Sequence, residues 1–197
     1  MAAKAWAEIG YDVVVAPNAV TKITRLRQLA AGWGAEPTEV GSKIAAAVEL
    51  AEDLAPEQVV ILTAHRLTAQ RIAQAVGADI YIGSMPTSER ADAVESFRLG
   101  FNRVIVGTFG AMSEGVDGLQ VARHIVLVDR DWTPARNEQA IARIRRSGQA
   151  HDAINVWHIV ARDTIDQYVA DALARKQDVI DAIMSHPFDT VTNTRLP

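Results

Sequence analysis

Three polar residues in the second half of the chain have the types and the spacing to bind a triphosphate. Gln139, Arg143 and Arg146 lie four and three positions apart in the run Gln139–Gln149, so they share one face of the helix predicted over Pro134–Arg146. A guanidinium is planar and permanently charged, and in phosphoryl transfer it stabilises the charge that develops on the γ-phosphate. The alternative, which the spacing alone favours, is a solvated basic helix face.

A loop of small residues is the second stretch with chemical potential. It begins where the predicted strand Arg103–Thr108 ends, and it contains Gly110, Ser113 and Gly115. Glycine lets backbone N–H groups come close to a phosphate, and a hydroxyl can donate a hydrogen bond to it. Without its neighbours, the same loop would be interpreted as a simple surface turn.

Short β-branched runs alternate with longer amphipathic stretches along the chain. The predicted strands are near-continuous apolar runs, as expected of strands buried on both faces: Val59–Thr63, Asp79–Ile82, Arg103–Thr108, His124–Asp129 and Ile154–Val160. The predicted helices lie between or after them: Ser42–Leu54, Thr68–Val76, Ser88–Leu99, Pro134–Arg146 and Asp163–Met184. This alternation predicts an α/β fold with a mainly parallel central sheet flanked by helices.

The pattern changes at both ends of the chain. Residues 1–41 are predicted to form a bridge with a strand at Asp12–Ala16, a helix from about Ala19 to Ala31, and a linker at Gly32–Gly41 that carries Gly, Pro and Thr. Residues 42–185 are predicted to form one lobe. Residues 186–197 are polar and are predicted to be a flexible tail.

Composition narrows the class of protein. The chain has 197 residues and a net charge of −4, so any nucleic-acid contact must come from a local patch. With no cysteine and no ligand spacing among the histidines, we expect no metal site. The lack of a secretory signal and of an apolar run approaching ~20 residues predicts a cytoplasmic protein without a membrane partner. The abundance of alanine and arginine is typical of a GC-rich genome, such as that of a bacterium or its phage.

The arginine run acquires a more specific interpretation from its neighbours. Val128–Pro134, with Asp129 and the Asp131-Trp132-Thr133-Pro134 turn, leads to Gln139-Ala140 and then to Arg143, Arg146, Gly148 and Gln149. This order resembles the last block of the ATPase core of the Swi/Snf-type family of helicase superfamily 2. There an apolar strand, an Asp, an Asp-Trp-x-Pro turn and a Gln-Ala pair precede an Arg-x-x-Arg-x-Gly-Gln ending.

Other segments resemble the same family in the same order. They are Thr24–Leu29, Ser42-Lys43-Ile44, Val59–Thr63 with Ala64-His65, Gly83-Ser84, Glu89-Arg90, Phe97, and Val106–Leu119. The resemblance covers about residues 19 to 182. The segment from Thr108 to Gly115 is one residue longer than is usual in the family.

The resemblance implies a RecA-like lobe, the second of two in a DNA-dependent ATPase. Arg143 and Arg146 would then be catalytic, whereas the nucleotide-binding residues would be Gln139, Glu114, Gly115 and Asp117. Duplex DNA would be held through its backbone by His65, Ser84 and Thr108, although a lone histidine at a strand end is more often packed or solvated. Trp132 is expected to pack the turn before the arginine helix rather than to stack on a base. ATP and Mg²⁺ would bind between the two lobes.

The half of an ATP site that holds the phosphates is missing from the sequence. A Gly-x-x-x-x-Gly-Lys-Thr/Ser loop does not occur, and neither does an Asp-Glu pair. We therefore expect no ATP turnover without a first RecA-like lobe. The chain is interpreted as a piece of a longer protein, as one product of a split gene, or as a free-standing lobe. In the last case it would be a DNA- or protein-binding module with no turnover.

Overall fold

The computed structural model describes residues 5–9, 12–16, 23, 24, 26, 27, 30, 41–112, 116–146 and 148–185. Within these ranges the strands are β1 (Ala5–Ile9), β2 (Asp12–Ala16), β3 (Val59–Thr63), β4 (Asp79–Tyr81), β5 (Val104–Thr108), β6 (His124–Leu127) and β7 (Asn155–His158). The α-helices are α1 (Ser42–Asp53), α2 (Arg66–Val76), α3 (Thr87–Arg98), α4 (Phe109–Met112), α5 (Pro134–Ile144) and α6 (Ile165–Ser185). A 3₁₀ turn covers Leu119–Val121.

A five-stranded sheet, in the order β4-β5-β3-β6-β7, forms the centre of the lobe. Every neighbouring pair in it is parallel. Parallel neighbours need a crossover, and the helices between the strands provide it. The predicted α/β fold with a mainly parallel central sheet is therefore confirmed. Strands β1 and β2 form a separate antiparallel pair.

Alternate residues of the strands contribute their side chains to two apolar layers, one on each face of the sheet. On one face, Val59, Ile61 and Val126 pack with buried residues of α1 and α2. On the other face, Val60 and Leu127 pack with buried residues of α3, α4 and α5. The strands are therefore covered on both sides, which explains why they appear in the sequence as continuous apolar runs.

The observed elements differ from the predicted ones mainly at their ends. Helix α2 begins at Arg66 rather than at Thr68, and β6 ends at Leu127 rather than at Asp129. Strand β1, α4 and the 3₁₀ turn were not predicted. Strand β1 contains three small or acidic residues among five, and it forms by pairing with the Val-rich β2, so its own residues carry little β signal.

Parts of the predicted flanking organisation lie outside the described residues. The described positions 23, 24, 26, 27 and 30 are helical, in agreement with the helix predicted from about Ala19 to Ala31. The predicted linker is described only at Gly41, and the predicted tail at 186–197 is not described. The boundaries proposed for the bridge, the lobe and the tail stay predictions.

A buried charge cluster joins α1 to the carboxyl edge of the sheet and to α6. Lys43 is only 2% exposed, and its Nζ lies 2.9 Å from Asp129 Oδ1 and 2.6 Å from Asp166 Oδ2. Asp129 also accepts hydrogen bonds from the Thr63 hydroxyl and the Ala64 N–H. Burial raises the pKa of Asp129, but Lys43 and the Thr63 hydroxyl lower it by more than burial raises it. The net pKa of Asp129 is therefore below its ordinary value. Asp129 is thus a carboxylate at neutral pH.

Replacing Lys43 tests how strongly this cluster holds the fold. We expect Lys43→Met to lower the free energy of unfolding by about 3–5 kcal/mol, because it leaves two carboxylates without their buried partner. The measurement is urea unfolding at neutral pH. The matched control, Glu57→Gln, removes an exposed ion pair of 2.7 Å with Arg123 and should cost less than about 1 kcal/mol. Equal losses of unfolding free energy in the two variants would contradict a special role of the Lys43 cluster in stability.

Candidate nucleotide and DNA sites

The helix predicted to carry the arginines is α5, and its start is firmly held. Thr133 is the N-cap residue and Pro134 takes the first position, as the sequence predicts. The Asn137 side chain accepts a hydrogen bond from the Asp131 N–H at 2.8 Å and donates one to the Asp131 carbonyl at 2.9 Å. The first turn of α5 is thereby tied to the segment that precedes it.

The end of α5 corrects one prediction. The helix stops at Ile144 because Arg145, with φ −84° and ψ 63°, leaves the helical conformation. The Gln149 amide then donates to the Ile144 carbonyl at 3.2 Å, and Gly148 supplies a left-handed φ of 90° for the turn. Arg146 therefore lies on this turn, and the prediction that it shares a helix face with Gln139 and Arg143 is wrong.

The turn nevertheless brings two predicted site residues together. Arg146 Nη1 lies 3.9 Å from Asp117 Oδ1, although the Asp117 side chain is 84% exposed. An exposed ion pair of this length contributes little stability, so both groups remain available to a ligand. Arg143 is half-buried, and its Nε is buried without a hydrogen-bond partner among the described residues. A buried donor of this kind is costly unless a ligand or water satisfies it.

The remaining predicted nucleotide-binding residues are only partly observed. Gln139 is exposed on α5, one helical turn before Arg143. Glu114 and Gly115 lie outside the described residues. The observed part of this site therefore consists of Gln139, Arg143, Arg146 and Asp117.

A cavity of about 420 Å³ adjoins Asp117 and was not predicted. It lies between α3 and the segment that carries Val116, and the Arg90 guanidinium lies over the Tyr81 ring at 5.5 Å. Arg90 Nε is buried without a hydrogen-bond partner among the described residues. The sequence contained a signal for this residue, because Arg90 lies on the same helix face as the buried Val94 and Phe97.

The three predicted DNA contacts lie along one edge of the sheet. Thr108 ends β5 and is in register with Thr63 at the end of β3, two residues before His65. Ser84 follows β4, which pairs with β5 on its other side. The carboxyl ends of parallel strands meet at one edge, so His65, Ser84 and Thr108 follow three adjacent strand ends. Ser84 is exposed, whereas His65 and Thr108 are half-buried.

His65 has an unusual environment for a phosphate contact. Burial lowers its pKa, and the nearby Arg27 and Lys43 lower it further, whereas Asp129 raises it. Because the net pKa lies below the ordinary value, His65 is neutral at neutral pH. Its Nε2 is buried without a hydrogen-bond partner among the described residues. As a neutral imidazole it can offer a hydrogen bond but no charge.

Helix α5 spans the distance between the two candidate sites. It begins just after Asp129, at the carboxyl edge of the sheet where His65 lies. Its far end packs on the 3₁₀ turn that precedes β6, and the Ala150 N–H donates to the Gln120 carbonyl there at 3.3 Å. Arg143 and Arg146 are thus near one end of α5, and His65, one of the three predicted DNA contacts, is near the other.

The part of the chain that the structure describes contains neither a metal-binding cluster nor a membrane-spanning helix. No group of three or more His, Asp or Glu side chains there is arranged to hold a metal ion. None of the helices described is both long enough and apolar enough to cross a membrane.

Comparison with known proteins identifies the family. The model of the helicase conserved C-terminal domain matches residues 42–148, which is more than half of the chain. The chain belongs to the helicase C-terminal domain family. The DNA repair and recombination protein RAD54B of Gallus gallus is 32% identical over 104 residues, which cover 52% of this chain and 11% of that protein. Other Swi/Snf-type ATPases match a similar share of the chain.

Solved structures agree on the fold of this helicase C-terminal domain. The C-terminal part of the Fun30 ATPase domain matches with a TM-score of 0.60 and 16% identity, over 83% of this chain and 64% of that chain. The C-terminal domain of the DEAD-box protein Dbp5 matches with a TM-score of 0.56 and 18% identity, over 71% of this chain and 80% of that chain. The RecA-like fold that the resemblance implied is confirmed.

The relatives limit what can be carried over to this chain. It spans about a tenth of the length of RAD54B, so the activity of such a whole protein is not established for it. The relatives compared are eukaryotic, and they give no support to a bacterial or phage source. That source stays a prediction from composition.

Proposed function

We propose that this helicase C-terminal domain is the second motor lobe of an ATP-dependent DNA translocase of the Swi/Snf type. The observation that carries the proposal is the arginine end of α5. There Arg143 Nε is buried and has no hydrogen-bond partner among the residues that the structure describes, and Arg146 is paired only loosely with Asp117. A cationic pair with unsatisfied donors fits an anionic ligand that a second lobe would deliver.

The residues present fit the triphosphate of ATP. Arg143 and Arg146 would bind its phosphate oxygens and stabilise the negative charge that develops there. Gln139 would donate or accept a hydrogen bond one turn away, and Asp117 would release Arg146 and bind the nucleotide. Bound ATP with Mg²⁺ supplies the bond that is cleaved. The phosphate loop and the acidic pair that hold them would come from the first lobe, on the same or a separate chain.

Duplex DNA is the partner proposed for the carboxyl edge of the sheet. Ser84 and Thr108 carry hydroxyls that can donate to phosphate oxygens, and the neutral His65 can donate through its ring. Such contacts are largely independent of base sequence. The name of the chicken relative, a DNA repair and recombination protein, is consistent with a DNA partner. A cytoplasmic location remains a proposal from composition.

Substitution of the arginines in the two-lobe enzyme tests the nucleotide site. We expect Arg143→Ala and Arg146→Ala each to lower the DNA-stimulated ATPase rate by about 10³-fold or more, because each removes charge stabilisation from the transferred phosphoryl group. The matched control is Arg145→Ala, which removes an exposed arginine between them. Rates that fall equally in all three variants would contradict specific roles for Arg143 and Arg146.

Binding to short duplexes of unrelated sequence tests the DNA edge. We expect Ser84→Ala and Thr108→Val each to weaken binding about 2- to 10-fold on every duplex, since a typical hydrogen bond contributes about 0.5–1.5 kcal/mol. The control is Ser96→Ala, which removes a hydroxyl near the carboxyl end of α3, whereas Ser84 precedes the amino end of this helix. The measurement is fluorescence anisotropy at low salt.

The same titration gives a pH dependence for His65. Its folded pKa is lowered, so binding should stay constant as the pH falls from about 8 to about 6.5 and strengthen only below that, when the ring gains a charge. His65→Asn should abolish the low-pH increase. An increase that persists in this variant, or losses that depend on the duplex sequence, would contradict the proposed interface.

A further inference from the structure

Four of the six residues between β6 and α5, Asp129–Trp132, form a junction that we call the Trp132 turn. The lobe holds this turn at two points, since Lys43 binds Asp129 and Asn137 binds both backbone polar groups of Asp131. The turn leads directly into the helix that carries Arg143. Its position therefore determines how that helix is oriented.

Arg27, from the helical residues before the lobe, contacts this turn in two ways. Its guanidinium donates a hydrogen bond to the Arg130 carbonyl and lies over the Trp132 ring, 5.6 Å from the ring centre. A guanidinium can do both at once, because it is planar and has several donors, whereas an ammonium is a compact point charge. The two contacts together fix both the orientation of the Arg27 side chain and its distance from the Trp132 turn.

Trp132 also contacts α6. Its ring packs edge-on against Tyr168 with 6.3 Å between the ring centres, and the Trp132 carbonyl accepts a hydrogen bond from Lys176 at 2.8 Å. Both partners belong to α6. Trp132 thus joins three elements, and the expectation that it packs the turn rather than stacking on a base agrees with these contacts.

Arg27 also lies close to the start of α5, next to the predicted DNA contact His65. It lines a small cavity together with Lys43, Asp129 and Asp166, and it is near enough to His65 to help lower the pKa of that ring, after the larger effect of burial. One residue outside the lobe therefore meets both the start of the arginine helix and the surroundings of a predicted DNA contact.

We propose that Arg27 is a positioning residue that locks the segment around residues 23–30 onto the Trp132 turn and so fixes that segment relative to α5. Its role in catalysis rests on the function proposed above, because it acts by orienting Arg143 and Arg146 toward the nucleotide. In an enzyme whose first lobe precedes this segment on the same chain, motion of that lobe would reach α5 through the segment.

A distance measurement on the whole chain tests the lock without any ATPase assay. The sequence contains no cysteine, so Ala30→Cys with Ala142→Cys gives one unique pair for spin labels, on the segment and on α5. Arg27→Ala should broaden the distance distribution of this pair, and Arg27→Lys should broaden it less. The control pair, Ala75→Cys with Ala142→Cys, lies within the lobe and should not change. A distribution that stays narrow in Arg27→Ala would overturn the proposal.

The two-lobe enzyme then separates positioning from a merely structural role. Arg27→Ala should lower kcat about tenfold while leaving KM for ATP within about twofold, because alignment is lost but the arginines remain. Arg27→Lys should restore part of kcat, and Arg175→Ala, an exposed arginine on α6, should have no effect. A parallel loss of kcat, ATP affinity and thermal stability would overturn the positioning role. If even the unmodified assembly hydrolyses no ATP, the proposed function fails, and the distance measurement still decides whether Arg27 locks the segment.

Discussion

The buried Lys43 side chain is the interaction on which the arrangement of this lobe depends. A lysine in the first turn of a helix is unfavourable to the helix dipole, and the first turn of α1 carries no acidic residue. Asp129 and Asp166 supply the missing negative charge, from two residues after β6 and from the first turn of α6. Because each of these buried charges is costly without the others, the cluster favours the packing of the three elements that closes it.

This charge cluster determines where the functional groups lie. Asp129 is the first residue of the Trp132 turn, so fixing Asp129 fixes the start of α5. The helix then carries Arg143 and the turn with Arg146 to the opposite edge of the sheet, while Thr63 and His65 stay next to Asp129 at the carboxyl edge. The charge cluster and α5 therefore lie between the arginine end of the helix and His65.

Most of the architecture could be predicted from the sequence, because buried parallel strands leave an unmistakable apolar pattern. Val59–Thr63 and Asp12–Ala16 were predicted to the residue, the other strands of the central sheet differ from their predictions only at their ends, and β1 was not predicted. The end of α5 could not be predicted, because it depends on Gln149 reaching back to the Ile144 carbonyl and on the conformation of Arg145. The association of Lys43 with Asp129 and Asp166 was also not predicted from the sequence. The two partners lie 86 and 123 positions from Lys43, and spacing rules do not reach that far. The roles of Arg143, Arg146, Ser84 and Thr108 came from resemblance to a family and remain proposals.

The most direct test of the central claim, that this chain is the arginine half of a motor, is ATP hydrolysis by the purified chain. The rate is measured with duplex DNA present, before and after addition of a first lobe that carries a Gly-Lys-Thr loop and an Asp-Glu pair. We expect no turnover by the chain alone and DNA-stimulated turnover once that lobe is added. Turnover by the chain alone that Arg146→Ala leaves intact would contradict it.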